Sequence, residues 1–325
     1  MREGSELRIG FQVWGSGVGW GDLMAAAEAI EAHGLDSCFA NDHVVPVVGT
    51  SDGVAPDAAG PIFEAMATIG GWAARTSRIR LGCLVSAAGY RNPGLLARQV
   101  VTLDHASGGR MTLGIGAGWH VRDHAMYGWD LLPVAERLDR LEEQARALRD
   151  LLDGKRVTMH GRWVRFDDAV LDPPPLQPHL PLLIGGSGER RTLRIVARHA
   201  DTWNGEGDVA TFARKNAVLD AHCVAVGRDP RAIRRTAGLP PPSIRATRGA
   251  AVAALAATLV RHGWSAPDAE ATAAAAPCVG TVDDVAATLE AYGAAGAEEV
   301  FFDWPAPFDP DTLALLAGQV RERLG

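Results

Sequence analysis

Cysteine is scarce and scattered. The four residues, Cys38, Cys83, Cys223 and Cys278, form no CxxC pair, which argues against a zinc site or a disulfide framework and for reduced, mostly buried thiols. Basic clusters are missing as well. With a net charge of -7 and no dense run of Lys or Arg, the chain offers no electrostatic footprint for nucleic acid or an anionic membrane. No apolar run approaches the roughly 18 residues of a membrane span, and Met1 to Gly10 lacks the apolar core of a signal peptide. The expectation is a cytoplasmic protein that takes a small-molecule substrate and has no nucleic-acid or membrane partner.

What is present is ordinary globular composition, 47% hydrophobic and 22% charged over 325 residues. That length suits one α/β barrel of about 250 residues with insertions, spanning 1–325 as a single domain. Strand and helix patterns alternate along the chain. Strands are expected over Leu7–Val13, Ser37–Ala40, Ile79–Val85, Met111–Gly116, Leu182–Gly185, Asp201–Asn204, Ile233–Leu239 and Glu299–Asp303. Helices fall between them, among them Asp22–His33, with Asp22 as N-cap and Gly34 as terminator, and the amphipathic Glu136–Asp153. Gly118–Leu132 reads as an excursion, Lys155–Gln177 as an inserted hairpin, and Pro240–Pro277 as a variable stretch with one helix, Ala250–His262. Eight strands alternating with helices predict a (β/α)8 TIM barrel with insertions, or a long doubly wound sheet.

In a barrel the chemistry belongs just after each strand. After the second strand stands Asn41-Asp42-His43, where an acid beside a histidine can set the imidazole tautomer and let it donate a proton; capping of the strand end is the plainer use. Gly185-Gly186-Ser187-Gly188 precedes a helix and suits a phosphate, or serves only as a tight turn. Gly114-Ile115-Gly116-Ala117-Gly118 lacks the third glycine of a dinucleotide fingerprint, so close approach of backbone to a flat cofactor, or simple exit from the strand, fits better. His120 and His124, with Asp123 between, invite a metal, but no third ligand is evident and a polar rim is preferred; no metal is expected.

Taken in order, Phe39-Ala40-Asn41-Asp42-His43, Arg80-Leu81-Gly82, Tyr90-Arg91-Asn92-Pro93, Ser107-Gly108-Gly109-Arg110, Gly114 through Trp119 and Leu183 through Gly188 resemble the bacterial-luciferase-like superfamily, particularly its coenzyme F420-dependent oxidoreductase branch. The resemblance covers nearly the whole chain. It implies a deazaflavin or flavin at the C-terminal mouth, against a bulge after the third strand that holds a non-proline cis peptide near Cys83-Leu84 or Leu84-Val85. It further implies that His43 faces the reactive ring as the catalytic proton donor, with Asp42, Cys83 and Leu84 beside the cofactor. Gly186, Ser187 and Gly188 would hold its phosphate, and Gly118, Trp119 and His124 would line the pocket. One departure stands out: sugar-phosphate dehydrogenases of this branch carry a glutamate after the fourth-strand glycines, where this chain has Trp119.

The leading expectation is hydride transfer between coenzyme F420 and an organic substrate by a homodimer. The alternatives are a monooxygenase using reduced FMN and a barrel that binds flavin without turnover. Walls for the substrate are expected from Val44 to Pro61, Arg156 to Pro175 and Pro240 to Pro277.

Overall fold

The computed structural model describes residues 6–47 and 60–325. Eight parallel strands close into a barrel: β1 Arg8–Val13, β2 Ser37–Ala40, β3 Arg80–Cys83, β4 Met111–Gly116, β5 Leu182–Gly185, β6 Thr202–Glu206, β7 Arg234–Leu239 and β8 Glu299–Trp304. Pairing runs in chain order and closes where β8 meets β1, with Gly10 opposite Phe301 and Gln12 opposite Asp303. Such parallel strands are covered on one side by helices and filled on the other by their own side chains.

Alternation along each strand assigns these two sides. Ile9, Phe11 and Val13, with Leu113, Ile115, Ile184, Val300 and Phe302, pack outward in the main hydrophobic core beneath the helices. The residues between them face the lumen in layers. At the N-terminal end Glu299 binds Arg8 (3.3 Å) and Ser37 Oγ (2.5 Å). Above lies an apolar layer of Phe39, Leu84, Leu183 and Phe301, whose two phenyl rings lie 4.7 Å apart. Gly10 and Gly82 make room for them: a Cβ at either position would stand under 3 Å from Phe301 or Phe39 ring atoms. One step further up each strand, Gln12 and Asp303 emerge at the mouth.

The covering helices include α1 Trp20–Ala32, α2 Ala65–Arg75, α3 Pro93–Ala106, α4 Val121–Tyr127, α5 Val134–Leu152, α6 Thr192–His199 and α7 Val209–Ala225. Helices α8 Arg248–Arg261 and α9 Ala266–Ala275 form a small cluster of their own before α10 Val282–Ala294. The C-terminal helical segment starts at Pro310.

Several expectations are corrected. Helix α1 is capped at Gly19, and Asp22 lies in its first turn, where a carboxylate still favours the helix dipole. The Gly118–Leu132 excursion contains α4, and Pro240–Pro277 carries a second helix, α9, capped by Ser265. Strand β3 ends at Cys83, and a separate short segment, Ser86–Ala87, resumes the pairing with β4. The inserted hairpin is present as antiparallel Val157–His160 and Arg165–Ala169. All four cysteines are buried and unbridged, and no helix among the described residues is long and apolar enough to cross a membrane.

Candidate active site at the barrel mouth

The site begins with an irregularity. Gly82 pairs with Thr112 and Ser86 with Ile115, so three residues of one strand oppose two of the other, a bulge. Within it the Leu84–Val85 peptide is cis. Leu84 N–H donates to Ala40 O at 2.9 Å, and Gln12 Nε2 donates to Leu84 O.

The glycines opposite exist for this bulge. A Cβ at Gly114 would lie 1.9 Å from Cys83 O, and one at Gly116 or Gly185 would meet Val85 methyls at 2.7 or 3.0 Å. Gly114-Ile115-Gly116 therefore makes close backbone approach to another strand, which is a more specific requirement than strand exit. Gly116 also lines the cavity above.

His43 is held by Asp123 from α4, not by its neighbour Asp42. His43 Nδ1 lies 2.6 Å from Asp123 Oδ2, Tyr90 OH donates to the same oxygen at 2.5 Å, and His120 Nδ1 stands 3.1 Å away. Oδ1 accepts the backbone N–H groups of Val44 (3.1 Å) and Val45 (2.9 Å). Burial pushes this carboxyl's pKa up, but the donors His120, His43 and Tyr90 outweigh it and hold it well below the usual range. Burial and the Asp123 bond raise the Tyr90 phenol, so it remains a donor. Ligand atoms of His43, His120 and Asp123 lie within 4.8 Å of one another, yet the carboxylate's roughly four lone-pair sites already face protein donors. Protein hydrogen bonds thus account for the cluster as an orienting hub.

Asp42 has a different partner. Its fully buried carboxylate forms a bidentate pair with Arg91, through Nη1 and through Nη2 at 2.9 Å, and Arg91 also reaches Glu64, the N-cap of α2. The second strand is thereby tied to the helix that follows it.

A cavity of about 1310 Å³ opens above these groups. Leu84 and Val85 form its apolar floor; His43 and Trp119, with ring centroids 5.5 Å apart, form one side. Across the mouth stand Trp14, Glu206, Asp208 and Asp303. Asp303 Oδ1 accepts Trp14 Nε1 at 3.3 Å; burial, and secondarily the nearby Glu206, raise its pKa to about 7 despite that bond.

Of the residues expected here, Asp42, His43, Leu84, Gly118, Trp119 and Gly186 line the cavity, whereas Cys83, His124, Ser187 and Gly188 do not. Cys83 packs outward in the core, and His124 is buried with Nδ1 on His120 O at 2.9 Å. In the glycine turn, Gly186 N–H is committed to Asn204 O (3.1 Å), and Thr192 fills the space beside Gly186 and Gly188. Sequence reasoning missed Gln12, Asp303 and Glu206 and the roles of Tyr90 and Asp123. Position two residues beyond a lumen-facing residue was the available signal for Gln12 and Asp303. Of the anticipated substrate walls, 156–175 contributes nothing among the described residues, Pro240 and Pro277 do line the cavity, and most of 44–61 lies outside the described residues.

The family model described as luciferase-like monooxygenase matches residues 4–299. The chain belongs to that family. Among relatives of this luciferase-like protein, an F420-dependent glucose-6-phosphate dehydrogenase of Nakamurella multipartita is 34% identical over 196 residues, covering 60% of this chain and 55% of that enzyme. The chain thus spans little more than half of that relative. Two examples stand for the many solved structures that share the fold. One is the coenzyme F420-dependent tetrahydromethanopterin reductase of Methanopyrus kandleri, with TM-score 0.79, 18% identity and coverage of 99% of this chain and 100% of that one. The other is the FMN-bound oxygenating constituent of 3,6-diketocamphane monooxygenase from Pseudomonas putida, with TM-score 0.75, 14% identity and 98% of each chain covered. At these identities the likeness is one of fold.

Proposed function

We propose that this luciferase-like protein is a coenzyme F420-dependent oxidoreductase acting on an organic substrate, with His43 as its proton donor and acceptor. The observation that carries the reading is the His43–Asp123 pair at the edge of a cavity floored by the Leu84–Val85 bulge. The 34% identical relative named for the deazaflavin favours that cofactor over FMN.

The cavity fits such a group. Its volume exceeds the roughly 300–1,000 Å³ of common ligand pockets, leaving room for a flat tricyclic ring beside a substrate. Leu84 and Val85 offer an apolar shelf, and Gly116, Gly118 and Gly186 present backbone where side chains would intrude. Thr192, which lines the cavity at the start of α6 beside the glycine turn, is assigned the phosphate end through its Oγ1. When bound, coenzyme F420 supplies two-electron hydride chemistry.

Asp123 accepting at Nδ1 places the His43 ring proton there and leaves Nε2 for the substrate. Nε2 takes the hydroxyl proton as an alcohol is oxidised and returns it in the reverse direction. The Trp119 ring beside His43 and the apolar floor border the proton's path.

Separate titrations with coenzyme F420 and FMN, followed by quenching of tryptophan fluorescence, test the assignment. Saturable binding of the deazaflavin in preference to FMN is expected. Preferential FMN binding, with substrate-coupled oxygen uptake by reduced FMN, would overturn it in favour of the monooxygenase.

A further inference from the structure

The wall opposite the bulge carries charge of one sign. Glu206, Asp208 and Asp303 line it, and none of the described residues lining the cavity is Lys or Arg. Cations just outside the lining include Arg91, paired with Asp42 and Glu64, and Lys215 and Arg137, which donate to the carbonyl oxygens of Glu206 (3.2 Å) and Gly118. Among the described residues of the lining, His43 is the only basic side chain, and its Nδ1 is engaged by Asp123.

Asp303 is the centre of this wall. It stands on β8 two residues above Phe301, in register with Gln12, so its carboxyl projects from the lumen into the cavity. Trp14 Nε1 donates to its Oδ1, and no hydrogen bond among the described residues reaches Oδ2. The Trp14 indole beside it also lines the cavity and offers an aromatic face on which a hydrocarbon skeleton or a cation can rest.

We propose that Trp14, Glu206 and Asp303 form the substrate-selecting wall of this cavity, admitting a neutral or positively charged organic substrate and rejecting phosphate esters and carboxylates. The proposal rests on the reading of the cavity as an active site. An anionic substrate group placed against Trp14 and Asp303, apart from the Thr192 side assigned to the cofactor's phosphate, would face like charges with no Lys or Arg in the described lining, and desolvation at the mouth strengthens that repulsion. A hydroxyl or ammonium group finds acceptors instead, on Asp303 Oδ2 and the Glu206 carboxylate.

The test uses one carbon skeleton in four charge states, cyclohexanol, cyclohexylamine, cyclohexyl phosphate and cyclohexanecarboxylate, titrated into the full chain without cofactor at mildly alkaline pH. Binding is read by calorimetry and tryptophan fluorescence. The alcohol and amine are expected to saturate, with the two anions at least about tenfold weaker. In an E206Q/D303N double variant the gap should shrink to about twofold or less, with the anions gaining. Glu206→Gln alone, at an exposed position, should narrow it in the same direction if the double variant fails to fold. Anions binding as well as the alcohol, a gap unchanged in the variants, or saturation by no member of the series would each overturn the proposal. Because no cofactor enters this titration, its failure leaves the F420 assignment standing, and failure of F420 to bind leaves the charge selection standing.

Discussion

His43 and Asp123 meet at 2.6 Å across 80 residues of chain, one from the loop after the second barrel strand and the other from helix α4. The carboxylate also gathers Tyr90 OH and the backbone N–H groups of Val44 and Val45, so it fixes both the imidazole and the loop that bears it. Asp123→Asn keeps the shape but removes the charge and one acceptor. It is expected to cost about 3 kcal/mol of stability, since donors around a buried site lose a charged acceptor. It should also lower turnover by on the order of 10²-fold or more, the scale of a misdirected general acid–base. Imidazole ¹⁵N shifts separate positioning from mere folding. The wild type should hold His43 with its proton on Nδ1, and the variant should show mixed tautomers; an unchanged Nδ1–H signal would refute the positioning role.

The barrel was legible because its signals are local. Apolar strands of four to six residues, glycine stops and helix caps recur along the chain, and their order alone dictates parallel strands joined by helices. Helix α9 escaped because Ala266–Ala275 is alanine-rich with little apolar periodicity, so propensity had no pattern to support it. At the site, His43 was readable but its partner was not. The adjacent Asp42 was the obvious acid, yet consecutive side chains leaving a strand diverge, and Asp42 turns to Arg91. Asp123 reaches the histidine only after the chain has traversed two further strands, a relationship no local pattern encodes. The Gly114-Ile115-Gly116 run illustrates the same limit: its glycines answer to Cys83 O and Val85 on another strand.

Arg91 is predicted to be a stability hot spot. Asp42 has no exposed side-chain surface, and Arg91 supplies its bidentate partner while bonding Ser86 Oγ at 3.0 Å. Arg91→Leu leaves a buried carboxylate unpaired and should cost about 3–5 kcal/mol in urea unfolding. Adding Asp42→Asn should recover part of that loss. If the double variant is as unstable as the sum of the two single ones, the pair is not the reason.

Gly114 should tolerate no side chain. An alanine Cβ would fall 1.9 Å from the Cys83 carbonyl oxygen, a backbone atom that cannot swing aside as a flexible side chain can. Gly114→Ala is expected to destabilise by at least about 3 kcal/mol, at the upper end of overpacking, and to weaken cofactor binding by displacing Leu84 and Val85. Gly108→Ala is a control for glycine loss without crowding: nothing lies within 4 Å of its Cβ, although its φ of 68° adds backbone strain. A Gly114→Ala melting temperature within a degree or two of the wild type would show that the bulge can yield.

Asp303 gives a pH dependence whose sign follows from its surroundings. Burial, then repulsion from Glu206, raises its carboxyl from 3.8 to about 7, with the Trp14 hydrogen bond opposing. Below about pH 4 both folded and unfolded chains hold the proton, so the group has no linked effect. Between 4 and 7 the unfolded chain ionises while the folded one does not, and stability falls as pH rises; above about 7 both are ionised and the loss is constant. The interval corresponds to up to about 4 kcal/mol. Asp303→Asn removes this titration, so its thermal stability relative to wild type should rise from pH 4 to pH 7 and then level off. Glu206→Gln, by removing the repulsion, should bring the plateau to lower pH. A difference between Asp303→Asn and wild type that is flat across this range would mean that Asp303 ionises normally in the folded protein.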